Sequence, residues 1–187
     1  KFCCNSLFHY STPFYIIKKR ITTEFITRTA ILLALALAFQ IGLKGVGQPL
    51  VGPLVNFVLI ISVITTDVLS GVIVGSLTPI IAFVFGIMGF LPIVPFIIGG
   101  NILYVLTFDL FRKRLEKWGN VLGLVLSSTI KYAFLAITVR YLVTLFAAVP
   151  PKVIAAFSIP QLYTALIGGA LALIISKFLP KSLFMKS

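Results

Sequence analysis

The sequence predicts an all-α, polytopic membrane protein with six transmembrane helices and both termini in the cytoplasm. Three observations predict it. Of 187 residues, 59% are apolar and 11% charged, with a mean hydropathy of +1.13; soluble domains run at about 45–50% apolar and about 25% charged. Six long apolar stretches, punctuated by Gly, Pro and charge, approach the ~20 residues that a bilayer core requires. Finally, the cations sort by side. Sixteen Lys and Arg against four acids give a net charge of +12. In a soluble protein that balance would suggest nucleic acid. Here the polar residues are too few to cover a water-facing globule, which argues for a lipid bilayer and against a nucleic-acid partner.

The elements follow in order. Residues 1–21 form a basic and aromatic tail with Phe2, Phe8, Tyr10, Phe14 and Tyr15. It has no long apolar run and does not read as a signal peptide; it reads as an interfacial segment or a remnant of upstream sequence. Adjacent Cys3 and Cys4 imply neither a disulfide framework nor a metal site, and His9 reads as a solvated or interfacial residue. The membrane domain, residues 22–180, opens with a span over about Phe25–Leu43. Its Ala30, Ala34 and Ala38 lie at i,i+4 spacing and make one smooth stripe on which another helix can approach closely. Gln40 points about 120° away from that stripe, so one face can dock a partner while another faces the protein's own interior.

The second span covers about Pro53–Leu69. The Gly45–Pro53 connection before it reads either as a gate over an outward-facing pocket or as a tight loop, and Gln48 and Asn56 flank it near the outer mouth. The third span covers about Gly71–Leu91, with Gly71 and Gly75 spaced for internal packing. The fourth covers about Pro95–Phe111 and puts Asn101, Tyr104 and Phe108 on one face. An amide beside aromatic rings suits a planar heterocycle; the competing reading is an interhelical hydrogen bond with ordinary aromatic packing.

The fifth span, about Asn120–Ala148, holds Lys131 and Arg140 within the apolar region. A cation buried in a bilayer costs at least a few kcal/mol, so it faces a bundle interior or water. At about 100° per residue the two point to opposite faces. Lys131 shares its face with Ser127, Ser128 and Thr138 and reads either as a cavity-lining group or as a structural, hydrogen-bonded lysine. Arg140, nearer the outer end, is positioned to reach the headgroups or to join the site. The sixth span, about Ile159–Leu179, places Gln161, Thr164 and Gly168 on one face, with Ala165 and Gly169 spaced for packing. Residues 181–187 are a basic tail.

Twelve cations fall on one side of this topology: Lys1, Lys18, Lys19, Arg20 and Arg28; Arg112, Lys113, Arg114 and Lys117; Lys177, Lys181 and Lys186. Only Lys44 and Lys152 fall on the other. The positive-inside rule makes the rich side cytoplasmic, and an even number of spans lets all three clusters share it. The acids Glu24, Asp67, Asp109 and Glu116 lie there too, with Asp109–Lys113 and Arg112–Glu116 spaced as helical i,i+4 pairs.

Missing chemistry narrows the function. There is no phosphate-binding GxxxxGK[ST] loop, no HExxH, no metal-ligand cluster and no catalytic constellation. A membrane enzyme is therefore the poorest reading. No carboxylate is expected in the membrane interior, where proton-coupled carriers place one. If the protein moves a solute uphill, a partner supplies the energy.

The order of features resembles the substrate-binding S component of energy-coupling factor (ECF) vitamin transporters. The resemblance runs over about Thr22–Leu179. It rests on six apolar spans in under 190 residues, on Ala30-x-x-x-Ala34 extended to Ala38, and on the run Gly52-Pro53-Leu54-Val55-Asn56. Gly71, Gly75 and Thr78-Pro79 follow, then Pro92, Pro95 and Gly100-Asn101. The resemblance implies a multi-pass, prokaryotic plasma-membrane subunit that binds a micronutrient on the outside and topples to release it inside. It implies a coupling subunit docked on the Ala30, Ala34 and Ala38 face, two cytoplasmic ATPases that hold the ATP, and no cofactor or enzymatic activity in this chain. The family's ligand residues vary with substrate. The expected substrate-binding set is therefore read from the residues themselves: Asn101, Tyr104, Lys131, Gln161, Gln48, Asn56, Thr138 and Arg140. The alternative function is a small membrane scaffold or assembly protein without a transported ligand.

Overall fold

A computed structural model describes residues 21–45, 47–115, 118–146 and 149–185. The tail expected over 1–21 falls almost wholly outside these residues, as do Glu116, Lys117 and Lys186. The described residues form helices α1 (Thr23–Gly42), α2 (Gln48–Thr65), α3 (Val68–Val84), α4 (Val94–Arg114), α5 (Gly119–Ile137), α6 (Val143–Phe146), α7 (Pro151–Ala156) and α8 (Ile159–Phe178). Single turns of 3-10 helix at Leu91–Ile93 and Lys181–Leu183 complete the list, and a π-helical turn at Thr138–Leu142 joins α5 to α6.

Local chemistry sets most ends. Thr22 caps α1 by accepting the Phe25 amide at 3.1 Å. Gly47, at φ 89°, takes the positive-φ corner before α2. Asp67 caps α3 by accepting the Val68 amide at 2.8 Å. Gly86, at φ 64°, stops α3 in a left-handed turn, its amide donating to the Phe83 carbonyl. Arg112, Lys113 and Arg114 sit in the last turn of α4, where cations favour the helix dipole.

Four segments are long and apolar enough to cross a membrane: Thr23–Gly42, Leu91–Arg114, Gly119–Leu142 and Val153–Phe178. α2 and α3 are shorter and equally apolar. At about 1.5 Å per residue they still come close to a ~30 Å hydrocarbon core. The six principal helices form a closed ring in the order α1, α3, α4, α5, α8, α2, and α2 also touches α3 and α4 across the middle. α2 is accordingly buried on all sides: Val58, Leu59, Ile60 and Ile61 are consecutive and all buried. The outer surface is apolar, with Ile26, Ile31, Val84, Ile137, Tyr141 and Phe178 exposed.

Small residues let the helices meet. A Cβ on Gly168 would strike the Pro53 carbonyl oxygen, one on Gly169 would strike Leu124, and one on Gly71 would lie 2.8 Å from Val63. Both spaced pairs, Gly71–Gly75 and Ala165–Gly169, therefore face inward and pack. Ala30, Ala34 and Ala38 instead lie exposed on the outside of α1.

The two described chain ends meet at one end of the bundle. Arg28 donates to the Leu183 carbonyl and, at 3.2 Å, to the Ser182 carbonyl. The Met185 amide donates to the Thr65 carbonyl at 2.9 Å. Arg28 also pairs with Glu24 at 2.6 Å. Asp109 pairs with Lys113 at 2.6 Å, the expected i,i+4 contact, and with Arg112 at 3.3 Å.

Several boundaries differ from the sequence reading. The connection read as Gly45–Pro53 is mostly helix, because α2 begins at Gln48 with Pro49 in its first turn. Proline is preorganised for that position. Pro53 inside α2 removes one N–H early in the helix without ending it. The second and third spans end sooner than expected, at Thr65 and Val84, where the Asp67 cap and Gly86 interrupt an apolar run. The fifth span is not one regular helix but α5, a π turn and α6. α7 was not anticipated; Pro150 and Pro151 start it.

Candidate functional site

A cavity lies at the end of the bundle opposite the joined chain ends. Every principal helix contributes to it. Gln40 comes from the end of α1, Asn56 from α2, Thr78 from α3, Asn101 from α4, Lys131 from α5 and Gln161 from α8. Val51, Val55, Pro79, Ile97, Met88 and Phe157 supply apolar walls. The cavity volume is about 60 Å³, enough for a few waters and well below the roughly 300 Å³ at which small-molecule pockets begin. The cavity is narrow in this conformation, and the side chains lining it must separate to admit a vitamin-sized molecule.

Lys131 is its centre. The side chain is 3% exposed. Its Nζ donates to Asn56 Oδ1 at 2.6 Å and to Asn101 Oδ1 at 2.8 Å, and sits 5.0 Å from the Tyr104 ring centroid, a cation–π contact. Asn101 Nδ2 donates in turn to the Gly75 carbonyl at 2.9 Å. That bond fixes the amide flip so that its oxygen faces the lysine. Gly75 makes the approach possible, since a Cβ there would lie 3.1 Å from the Asn101 Cβ. The Tyr104 hydroxyl donates to the Ala165 carbonyl at 2.8 Å, which holds the ring beneath the ammonium. The chain thus spends four elements on positioning one cation.

Of the expected site residues, Asn56, Asn101, Lys131 and Gln161 line the cavity together. Tyr104 is fully buried and supports Lys131 from below without lining the cavity. Thr138 is buried in the π turn, and Arg140 is exposed on the bundle's surface; neither lines the cavity. The Gln48 side chain lies outside what the structure describes. Of the two readings of Asn101, the structure shows the interhelical one: its nitrogen donates to Gly75 of α3 and its oxygen accepts from Lys131 of α5. Gln40, Thr78 and Phe157 line the cavity although the sequence reading placed none of them in the site. Gln40 left a usable signal, an amide in an apolar helix pointing away from the alanine stripe. Among the described residues no cluster of His, Cys, Asp or Glu is placed to hold a metal ion.

No curated protein and no solved structure matches the chain. Residues 24–180 match the family described as ECF transporter, substrate-specific component. That match covers most of the sequence and the whole six-helix ring. The chain therefore belongs to the family of ECF transporter substrate-specific components: non-enzymatic multi-pass membrane subunits, typical of the prokaryotic plasma membrane, that bind no cofactor of their own and work with a transmembrane coupling component and ATP-binding ATPases.

Proposed function

We propose that this chain is the high-affinity binding subunit of an ATP-driven importer for a small water-soluble vitamin or related micronutrient. It takes the molecule from outside into the cavity around Lys131 and delivers it through a coupling subunit carrying two ATPases. The observation that supports this reading best is the convergence of Gln40, Asn56, Asn101, Lys131 and Gln161 on one cavity in an otherwise apolar bundle. Polar groups are costly at membrane depth unless they are used. Five of them, from five helices, ring a space that opens away from the basic clusters. With those clusters cytoplasmic, the cavity faces outward.

The exposed Ala30, Ala34 and Ala38 stripe suits the docking surface. A row of methyl groups lets a partner helix approach closely without burying charge, and dissociation then breaks no ion pair. The substrate-binding set proposed is Lys131, Asn56 and Gln161 in contact with the ligand, with Asn101 and Tyr104 holding Lys131 in place.

A melting screen of the detergent-solubilised chain against water-soluble vitamins tests the function. A ligand that binds the native state raises its stability by RT ln(1 + [L]/Kd), so a micromolar-or-better ligand at 100-fold excess over Kd contributes about 2.7 kcal/mol. The chain alone hydrolyses no ATP. If no vitamin shifts the melt and no small molecule co-purifies, the scaffold function takes its place.

A further inference from the structure

The cavity contains unused hydrogen-bonding capacity of a specific kind. A lysine ammonium has three N–H groups; two go to the Asn56 and Asn101 oxygens, and among the described residues no acceptor takes the third. Among the described residues no carboxylate neutralises it. Among the described acids, Glu24 pairs with Arg28, Asp109 pairs with Lys113 and Arg112, and Asp67 caps α3, all at the far end of the bundle. Asn56 gives its oxygen to Lys131, and among the described residues nothing accepts from its Nδ2. Across the cavity Gln40 is 6% exposed, and its buried Oε1 has no hydrogen-bond partner. A buried polar atom left unpaired is costly, and an uncompensated buried charge costs more. The apolar walls between these groups supply no hydrogen bonds.

From this arrangement we infer that the ligand is a monocarboxylic acid with an N–H or O–H donor on its body. Its carboxylate seats on the free Lys131 N–H and the Asn56 amide nitrogen, and its donor reaches Gln40 Oε1. Two donors match two carboxylate oxygens, and one ammonium balances one negative charge. A phosphate ester, with up to two charges and three oxygens, would find one cation and too few donors. This rests on the proposed binding function and narrows it to a class of substrate. Asn101 stays a positioning residue, its oxygen and nitrogen both occupied.

The test begins by incubating the detergent-solubilised full chain with a bacterial small-molecule extract, washing, and identifying bound compounds by mass spectrometry. The recovered acid is then compared with its synthetic primary amide by calorimetry. The expected ligand carries one carboxylate and binds about 10- to 100-fold more tightly than its amide, as one charge-assisted hydrogen bond implies. Lys131→Gln brings that ratio to near one, and Gln40→Leu weakens acid and amide alike. Asn56→Asp, nearly isosteric, places an internal counterion against Lys131. It is expected to expel the acid while leaving the melting temperature in the absence of ligand equal to or above that of the parent, so lost binding is not lost folding. A recovered ligand that is neutral, phosphorylated or bound no better than its amide overturns the carboxylate inference and leaves the binding function standing. Recovery of no ligand at all overturns both.

Discussion

Lys131 is held by two amide oxygens and one aromatic face, so removing it has two separable effects. Lys131→Ala abolishes ligand binding and orphans the Asn56 and Asn101 oxygens, destabilising the bundle by about 1–3 kcal/mol. Arg140→Ala, on the exposed side of the same span, changes stability by less than about 0.5 kcal/mol; binding isotherms and detergent melts on the two variants show the contrast. Gly168→Ala tests the packing. The new methyl meets the Pro53 carbonyl oxygen, so α2 and α8 must part and the melt falls by the equivalent of roughly 1–3 kcal/mol. At this scale the sequence was informative where chemistry is rare. One lysine in an apolar helix and one asparagine in another stand out by type alone. That Asn56 and Lys131 touch was not legible, because helical phase assigns a residue to a face and does not say which distant helix, 75 residues away, covers it. Gln40 faced inward by phase, and only the fold shows that inward meant into the cavity.

Among the elements, α1 has two unlike faces. Thr29 and Gln40 are buried, Thr29 donating to Ser70 of α3 at 2.9 Å, while the alanine stripe is exposed. Ala34→Trp is therefore expected to spare ligand affinity and to reduce co-purification with the coupling subunit by at least about tenfold, the scale of 1.4 kcal/mol. Equal recovery of the complex would remove α1 as the docking element. The helices themselves were legible from apolar length. Their ends were less so, since Pro49 and Pro53 read as punctuation although a proline early in a helix is compatible with it. The interruption of the fifth span was invisible to hydropathy, because a π turn changes hydrogen-bond register and not composition.

In the whole molecule, charge and cavity lie at opposite ends. Arg28, Asp109 and the α4 basic turn gather where the chain ends meet, and the polar groups of the cavity gather at the other end. Single cysteines at Ser182 and Lys44 in intact cells are expected to react with a membrane-impermeant maleimide only at position 44. Labelling at 182 instead would invert the proposed orientation. The same polarity explains how a strongly basic chain belongs to a transport family: its net charge of +12 reports orientation, and the cation proposed to serve the ligand is one of sixteen.

The π turn at Thr138–Leu142 has a consequence for how this span tolerates changes in length. Such a turn accommodates one residue more than a regular helical turn and is the form a single-residue insertion takes when the helix on both sides keeps its contacts. Upstream, Lys131 and Leu135 are buried, and downstream Val143 is buried too, so both flanks are pinned. Deleting exposed Tyr141 should let the backbone relax to a regular α-helix with Lys131 still seated between its two amides. The same deletion at Thr129, before the lysine, would rotate Lys131 by about 100° away from them. The span thus contains one place where a codon can be lost cheaply, and it lies just beyond the residue that can least afford to turn.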